Sequence, residues 1–425
     1  MTGIDPSVKV LTYLILMLAA AKIGAELFER MKQPAVLGEL VAGVFLGNLI
    51  LVNGSWTFFE PLRAAGLTDH AAIGIDILAR IGIILLLFQV GLESSLSEMR
   101  QIGSSSLLVA AVGVVMSFVL GYLVSAACVH EVPKALLAIS PGFSIRNIHM
   151  FIGATLCATS VGITARVFED LGKIQTREAR VVLGAAVIDD VLGLIILATV
   201  TAVVSSAEAG RVISFGGIAR LALIAVVFLA GALIIGTAIA PQLIKAAAKF
   251  RTRGLMLISA LIICFALSAL AGSAGLAPIV GAFSAGLILE EIHFKDFASE
   301  VNVKRLLQPI ATLFVPLFFV EMGIQVHLES LLVPSVAVIS LGLIIAGVLG
   351  KQLCGLVVRG KGINRLAVGL GMIPRGEVEL IFASIGRTLG VIDDAIFSAI
   401  VLMVVVTTFM TPPLLKWSIG RSGLK

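Results

Sequence analysis

The sequence predicts an all-α polytopic membrane protein, and three observations carry the prediction. Of 425 residues, 59% are hydrophobic and 13% charged, with a mean hydropathy of +1.10, far from a soluble globular composition. Apolar runs of spanning length recur along the whole chain, interrupted by short charged or Gly/Pro stretches. A few charged residues lie inside those runs, where each costs about 2.5–3.5 kcal/mol on insertion scales and is by default a functional group.

Apolar length divides the chain into about thirteen helices of roughly 17–28 residues. The spans run over 8–28, 34–51, 71–92, 104–127, 147–171, 178–204, 214–240, 254–271, 276–291, 305–325, 332–358, 363–388 and 394–416. The first, LTYLILMLAAAKIGAELF, follows Asp5 and Lys9 without a basic leader or cleavage site and is expected to be retained. An odd number of spans places the termini on opposite sides. Arg30, Lys32, Lys173, Arg177, Arg180, Lys245, Lys249, Arg251, Arg253, Lys304, Arg305, Arg359, Lys361, Arg365, Lys416, Arg421 and Lys425 all fall on one side. The positive-inside rule then puts the N-terminus outside and the C-terminus in the cytoplasm.

Composition also excludes partners. The +5 net charge and pI near 9.1 arise from these short loops, so no nucleic acid is implied. Cys128, Cys157, Cys264 and Cys354 stand singly in or beside apolar runs, without metal spacing, and are expected to be small core residues. The basic loop from Lys245 to Arg253 reads as a topology anchor, with lipid binding as its alternative.

Two pairs of segments echo each other. PAVLGELVAGVFLG (Pro34 to Gly47) resembles APIVGAFSAGLIL (Ala277 to Leu289), and FQVGLESSL (Phe88 to Leu96) resembles FFVEMGIQVHL (Phe318 to Leu328). Each copy is displaced by an odd number of spans and therefore inserts upside down, the inverted-repeat plan of secondary transporters. The expected division is a first repeat over 1–204, a linking helix and basic loop over 205–252, and an inverted repeat over 253–425.

Such proteins build their site from interrupted helices. The fifth span crowds Thr155, Thr159, Ser160, Gly162 and Thr164 into its middle, and interhelical hydrogen bonding is the alternative reading of that set. In the twelfth, Gly369, Gly371, Pro374 and Gly376 surround Arg375 and Glu377. Proline removes a donor and clashes with the preceding turn, so unwinding is expected at Pro374.

The most conspicuous charges are Asp189 and Asp190, adjacent within GAAVIDDVLGLIILATV. Lys351 lies about 8 residues, or ~12 Å of helix, inside the basic end at Arg359, too deep for easy snorkelling, so it calls for a counter-charge. Adjacent residues point about 100° apart, so one aspartate can pair with Lys351 while the other faces a cavity; a static buried pair is the alternative. The same geometry excludes an aspartyl protease, whose carboxylates must converge on one water. A channel lined by Asp189 and Asp190 is a further alternative, against which the repeat and the buried lysine count. Oxygen-only ligands suit a hard monovalent cation, for which protons compete.

The order of QPAVLGELVAGVFLGN, LFQVGLES, ATSVGITARVFEDLGKI, AAVIDDVLG, LAPIVGAFSAGLIL, GKQL and GMIPRGEVEL resembles the second family of monovalent cation/proton antiporters, especially the NapA-type bacterial sodium/proton exchangers, with NhaA-type proteins more distant. The resemblance implies no enzyme and no cofactor, but exchange of Na+ or Li+ for H+ in a bacterial inner membrane. It implies an NhaA/NapA-like fold with two crossing broken helices, and a homodimer. A core domain around 147–204 and 332–416 would move against a dimerisation domain from spans near 8–51 and 214–291. Asp190 matches the cation-binding carboxylate, Asp189 the preceding aspartate that pairs with the lysine matched by Lys351, and Thr159 and Ser160 the unwound part of the first crossing helix. Arg375 and Glu377 match the polar section of the second. Retention of both aspartates and the lysine resembles the electrogenic sodium branch. Electroneutral K+/H+ exchange is the nearest alternative, and a sodium-coupled symporter of a small anion is another. No cytosolic nucleotide-binding domain is expected after the last span, unlike the ligand-gated potassium-efflux members of the family.

Glu39 and Glu93 read as supporting groups near helix ends. Arg166 is expected to pair with Glu377 or to face water near Glu169 and Asp170. His70, His130, His149, His293 and His327 are expected at membrane surfaces.

Overall fold

The computed structural model describes residues 5–31, 33–63, 69–93, 104–133, 136–137, 143–170, 173, 175–208, 215–248, 255–291, 303–359 and 362–422. Expectations placed on Lys32, Lys249, Arg251, Arg253, His293, Lys361 and Lys425, and on the side chains of Arg166, Glu169, Asp170, Lys245 and Arg421, lie outside the described residues.

The helices in chain order are α1 (Pro6–Arg30), α2 (Ala35–Gly47), α3 (Leu49–Val52), α4 (Glu60–Arg63), α5 (His70–Glu93), α6 (Ser104–Cys128), α7 (Ile145–Thr155), α8 (Val161–Asp170), α9 (Arg177–Glu208), α10 (Phe215–Ala248), α11 (Leu255–Ser273), α12 (Pro278–Glu291), α13 (Val303–Ile324), α14 (Leu328–Leu331), α15 (Pro334–Cys354), α16 (Arg365–Gly371), α17 (Glu377–Thr388) and α18 (Asp394–Ser422). Local chemistry sets several of the starts. Asp5 accepts from Ser7 N (2.8 Å) ahead of Pro6 in α1, and Asn364 accepts from Ala367 N (3.1 Å) at α16.

Among the described residues, eight helices are long and apolar enough to cross a membrane: α1, α5, α6, α9, α11, α13, α15 and α18. Shorter apolar stretches among the described residues are Ala35–Gly47, Leu223–Gly236 within the longer α10, and Pro278–Leu289. The spans over 147–171 and 363–388, whose interruption the sequence predicts, are each two half-helices, and the span over 34–51 is divided at Asn48. Polar residues close to a span's end proved no barrier to helix: α10 continues to Ala248 and α18 to Ser422.

The chain divides into two compact units. The first holds residues 1–97 and 220–325, and its packing depends on glycines that admit a neighbouring backbone. A Cβ on Gly43 of α2 would lie 2.1 Å from Val320 O of α13, and one on Gly323 of α13 would lie 2.1 Å from Leu40 O of α2. The same pair of contacts recurs between α12 and α5. There a Cβ on Gly286 would meet Phe88 O at 2.4 Å, and one on Gly91 would meet Phe283 O at 2.3 Å. Superposing the sequence echoes on Ala42-Gly43 and Ala285-Gly286, and on Gly91 and Gly323, makes these contacts equivalent residue for residue. Elsewhere in this unit Tyr13, Phe59, Leu62 and Ile75 join a core with Leu317 and Val320, and Tyr13 donates its hydroxyl to Phe58 O (2.9 Å).

The second unit holds residues 98–219 and 326–425. Val109, Phe168, Val182, Val358, Met372 and Leu415 belong to one apolar cluster, drawn from α6, α8, α9, α18 and the segments beside α15 and α16. Gly350 lets α15 close on α6, since a Cβ there would be 2.8 Å from Ser117 Cα. Of the histidines, one expectation is overturned: His149 is 7% exposed, its Nδ1 2.9 Å from Ser125 Oγ and its ring edge-on to Tyr122. A hydroxyl partner on α6 makes that burial tolerable. His70 and His130 are exposed.

Candidate ion-binding site

The site begins with two interruptions in the second unit. Helix α7 stops at Thr155, whose hydroxyl turns back to Ile152 O (2.7 Å), and residues 156–160 carry the chain to α8. Helix α16 stops at Gly371, and residues 372–376 include Pro374, which has no N–H to continue a helix. The two breaks satisfy one another. Ser160 N donates to Pro374 O (3.0 Å), Thr159 Oγ1 to Met372 O (3.0 Å) and Thr164 Oγ1 to Gly371 O (2.9 Å). The Arg375 carbonyl accepts from the Thr408 hydroxyl of α18. Unwound backbone is thus tolerated away from water because hydroxyls replace the lost helical donors.

Two buried cations hold the first break. Lys351 Nζ donates to Cys157 O (2.6 Å) and to Asp189 Oδ2. Arg375 donates to Leu156 O (2.6 Å), Ala158 O and Gly347 O (3.1 Å). Three consecutive carbonyls, those of Leu156, Cys157 and Ala158, therefore each accept from a charged donor, the stronger class of hydrogen bond.

The carboxylates are placed unequally. Asp189 is 0% exposed; its Oδ2 takes Lys351 and the Thr159 hydroxyl (2.9 Å), while its buried Oδ1 has no hydrogen-bond partner among the described residues. Asp190 is 4% exposed, and its side chain makes no hydrogen bond or ion pair with the described residues. It lies within Coulombic reach of Glu377, Asp189, Glu379 and Lys351. Ser160 Oγ donates to Glu377 Oε2 (3.2 Å). The structure thus brings Asp189, Lys351 and Thr159 into direct contact, and links Ser160 to Glu377.

Arg375 has a partner that the sequence reading passed over. Glu379, wholly buried on α17, accepts from Gly376 N at Oε2 (2.9 Å) and faces Arg375 NH1 at Oε1 (3.4 Å). Its spacing was an available signal: three residues after Gly376 is the capping-box position, and four after Arg375 is the next turn of one helix face. Thr408 was also missed, since a hydroxyl in an apolar helix does not reveal which distant carbonyl it serves. Glu93, at the end of α5 in the first unit, pairs with Lys304 (2.7 Å), and Glu39 is buried in α2.

Chemically, the site offers carboxylate, hydroxyl and carbonyl oxygen only. No group of three or more His, Cys, Asp or Glu suited to a resident metal occurs among the described residues. Apolar spanning helices, two interruptions that meet, and buried carboxylates beside them are the features of an integral membrane transporter. The profile of the family described as "Sodium/hydrogen exchanger, transmembrane" matches residues 14–417, and the chain belongs to that family. It is a cation/proton antiporter, and not an enzyme.

Relatives extend over nearly the whole chain. The high-affinity Na(+)/H(+) antiporter NhaS3 of Synechocystis sp. is 37% identical, covering 96% of this chain and 89% of its own length. The Na(+)/H(+)-K(+) antiporter GerN of Bacillus cereus is 33% identical, covering 95% of both. Among solved structures, the sodium proton antiporter MjNhaP1 of Methanocaldococcus jannaschii superposes with a TM-score of 0.66 over 99% of both chains at 17% identity, a likeness of fold.

Proposed function

We propose that this chain is an electrogenic antiporter of the NapA type, exporting Na+ or Li+ in exchange for protons. The observation that carries the reading is the division of labour at the aspartates: one oxygen of Asp189 is tied to Lys351, while its other oxygen and the Asp190 carboxylate have no partner among the described residues. A hard monovalent cation takes such oxygens. The same carboxylates accept protons when no cation is present, because a bare buried charge is costly. Thr159 and Ser160 supply hydroxyls beside them, and Arg375 and Glu377 balance charge at the breaks.

In this reading, cation binding competes with Lys351 for Asp189. The ammonium then loses its counter-charge and gives up a proton, so two protons exchange for one cation. Neutralised and bare sites differ in the cost of crossing low dielectric, which makes exchange obligatory. Among the described residues, eight long apolar helices, three further apolar stretches and the two interrupted pairs support thirteen passages. The equivalent contacts of Gly43 with Val320 and Gly286 with Phe88 support inverted repeats. The N-terminus lies outside, the membrane is a bacterial inner membrane and the working form is a homodimer; the loop charges and the family resemblance support these in turn. Core and dimerisation domains follow the same resemblance.

A second reading, exchange of K+, is favoured by the name of GerN, which includes potassium, at 33% identity. Proteoliposomes with an internal pH dye, given sodium, lithium or potassium at clamped potential, separate the two. Sodium- and lithium-driven, potential-dependent proton movement is expected. A potassium response indifferent to potential establishes the second reading, and no cation-driven proton movement sinks both.

A further inference from the structure

Resting on the proposed exchange at Asp189 and Asp190, we propose that Glu379 is a positioning residue that sets the site's cation affinity by serving as the counter-charge of Arg375. Arg375 is wholly buried and its guanidinium is committed to the first break, through Leu156 O and Ala158 O. Those carbonyls flank that of Cys157, which holds Lys351, and the next residue is Thr159, whose hydroxyl holds Asp189. The charge on Arg375 is therefore built into the same short backbone that orients the ion pair. A cation entering beside Asp189 and Asp190 would be repelled by that charge unless it is neutralised nearby.

Glu379 is placed to neutralise it. It is 0% exposed and i+4 from Arg375, with Oε1 toward the guanidinium. It also closes the start of α17 by accepting from Gly376 N. Helix capping alone does not require a charge, because a glutamine carbonyl accepts the same N–H. An uncapped helix start and an uncompensated buried arginine are separate losses, and one substitution separates them.

The test measures KM and kcat for sodium-driven proton movement in proteoliposomes for the parent, Glu379→Gln and Glu379→Asp. Glutamine keeps the cap but removes the charge. KM is expected to rise about tenfold, the scale of one unit charge acting through a partly screened interior, with kcat within about twofold. Glu379→Asp keeps the charge on a shorter side chain, and its KM is expected within about twofold of the parent. A parental KM in Glu379→Gln, or a fall in kcat alone, overturns the proposal. If Glu379→Gln does not accumulate as folded protein, Glu379→Asp decides. A KM raised about tenfold despite the retained charge overturns the proposal, and a parental KM with a lower melting temperature supports it. A parent that moves no protons with any cation defeats the exchange reading itself, a result distinct from each of these.

Discussion

Lys351 and Asp189, each 0% exposed, meet through Nζ and Oδ2 in the second unit, and the same carboxylate oxygen accepts the Thr159 hydroxyl. A pair so enclosed is held by hydrogen bonds on both sides: Lys351 also donates to Cys157 O. Loss of either partner leaves the other charge stranded, which costs far more than a surface ion pair.

Lys351→Gln should therefore lower the stability of the purified protein by on the order of 3 kcal/mol, read as a fall in chemical-unfolding midpoint in detergent. Under the proposed mechanism the second exchanged proton comes from Lys351, so exchange should persist but lose its dependence on membrane potential. Unchanged voltage dependence rejects a proton-coupling role for Lys351.

Thr159→Val removes a hydroxyl that touches both Asp189 Oδ2 and Met372 O (2.9 and 3.0 Å) at nearly constant volume. Leaving that buried carbonyl unsatisfied costs about 1–3 kcal/mol. Both a lower melting temperature and a higher KM for the cation should follow. A variant matching the parent in both would show that the hydroxyl orients nothing.

Gly43→Ala and Gly286→Ala each place a Cβ within 2.4 Å of a backbone carbonyl oxygen, that of Val320 and Phe88 respectively. Each should destabilise by about 1–3 kcal/mol, by similar amounts if the two contacts are copies of one repeat. Gly231→Ala is the control: nothing lies within 4 Å of its Cβ, and a helix-interior alanine should be neutral or stabilising. Equal tolerance of all three would contradict the packing.

Asp69 precedes α5, where Lys9 Nζ at 2.6 Å and the N–H groups of Ala71 and Ala72 at 3.0 Å favour its ionised form. The hydrogen bond from Lys9, foremost, holds the carboxyl below the usual carboxylate range. A lowered folded-state value means that the contribution is present at neutral pH and lost as pH falls below that range. Asp69→Asn should melt lower than the parent at pH 7, with the gap closing in acid. A gap independent of pH would contradict the ion-pair account.

How much of this is legible in sequence follows from the kind of signal. Asp189, Asp190 and Lys351 are charges in apolar runs, conspicuous at any register, and Pro374 announces a break by its missing donor. From the residues alone the partner of Lys351 stays open between two aspartates, because helix rotation is invisible in composition; the family resemblance implies Asp189, and Asp189 is the one that Lys351 meets. Glu379 was spelled out by its distance from Gly376 and Arg375, yet it blends into a polar section already assigned to Glu377. The hold of Arg375 on Leu156 and Ala158 has no sequence signal, since it spans more than 200 residues and uses backbone acceptors. His149 misleads because its position near a helix start suggests exposure, whereas Ser125 and Tyr122 enclose it.

The most direct test of competition between cation and proton is the KM for sodium measured across pH in proteoliposomes, for the parent and for Asp190→Asn. The parent's KM should rise about tenfold per pH unit for each competing proton on the acid side of the site's titration, and Asp190→Asn should show no sodium-driven proton movement. A KM that does not change with pH, or exchange that survives in Asp190→Asn, would contradict a shared carboxylate site.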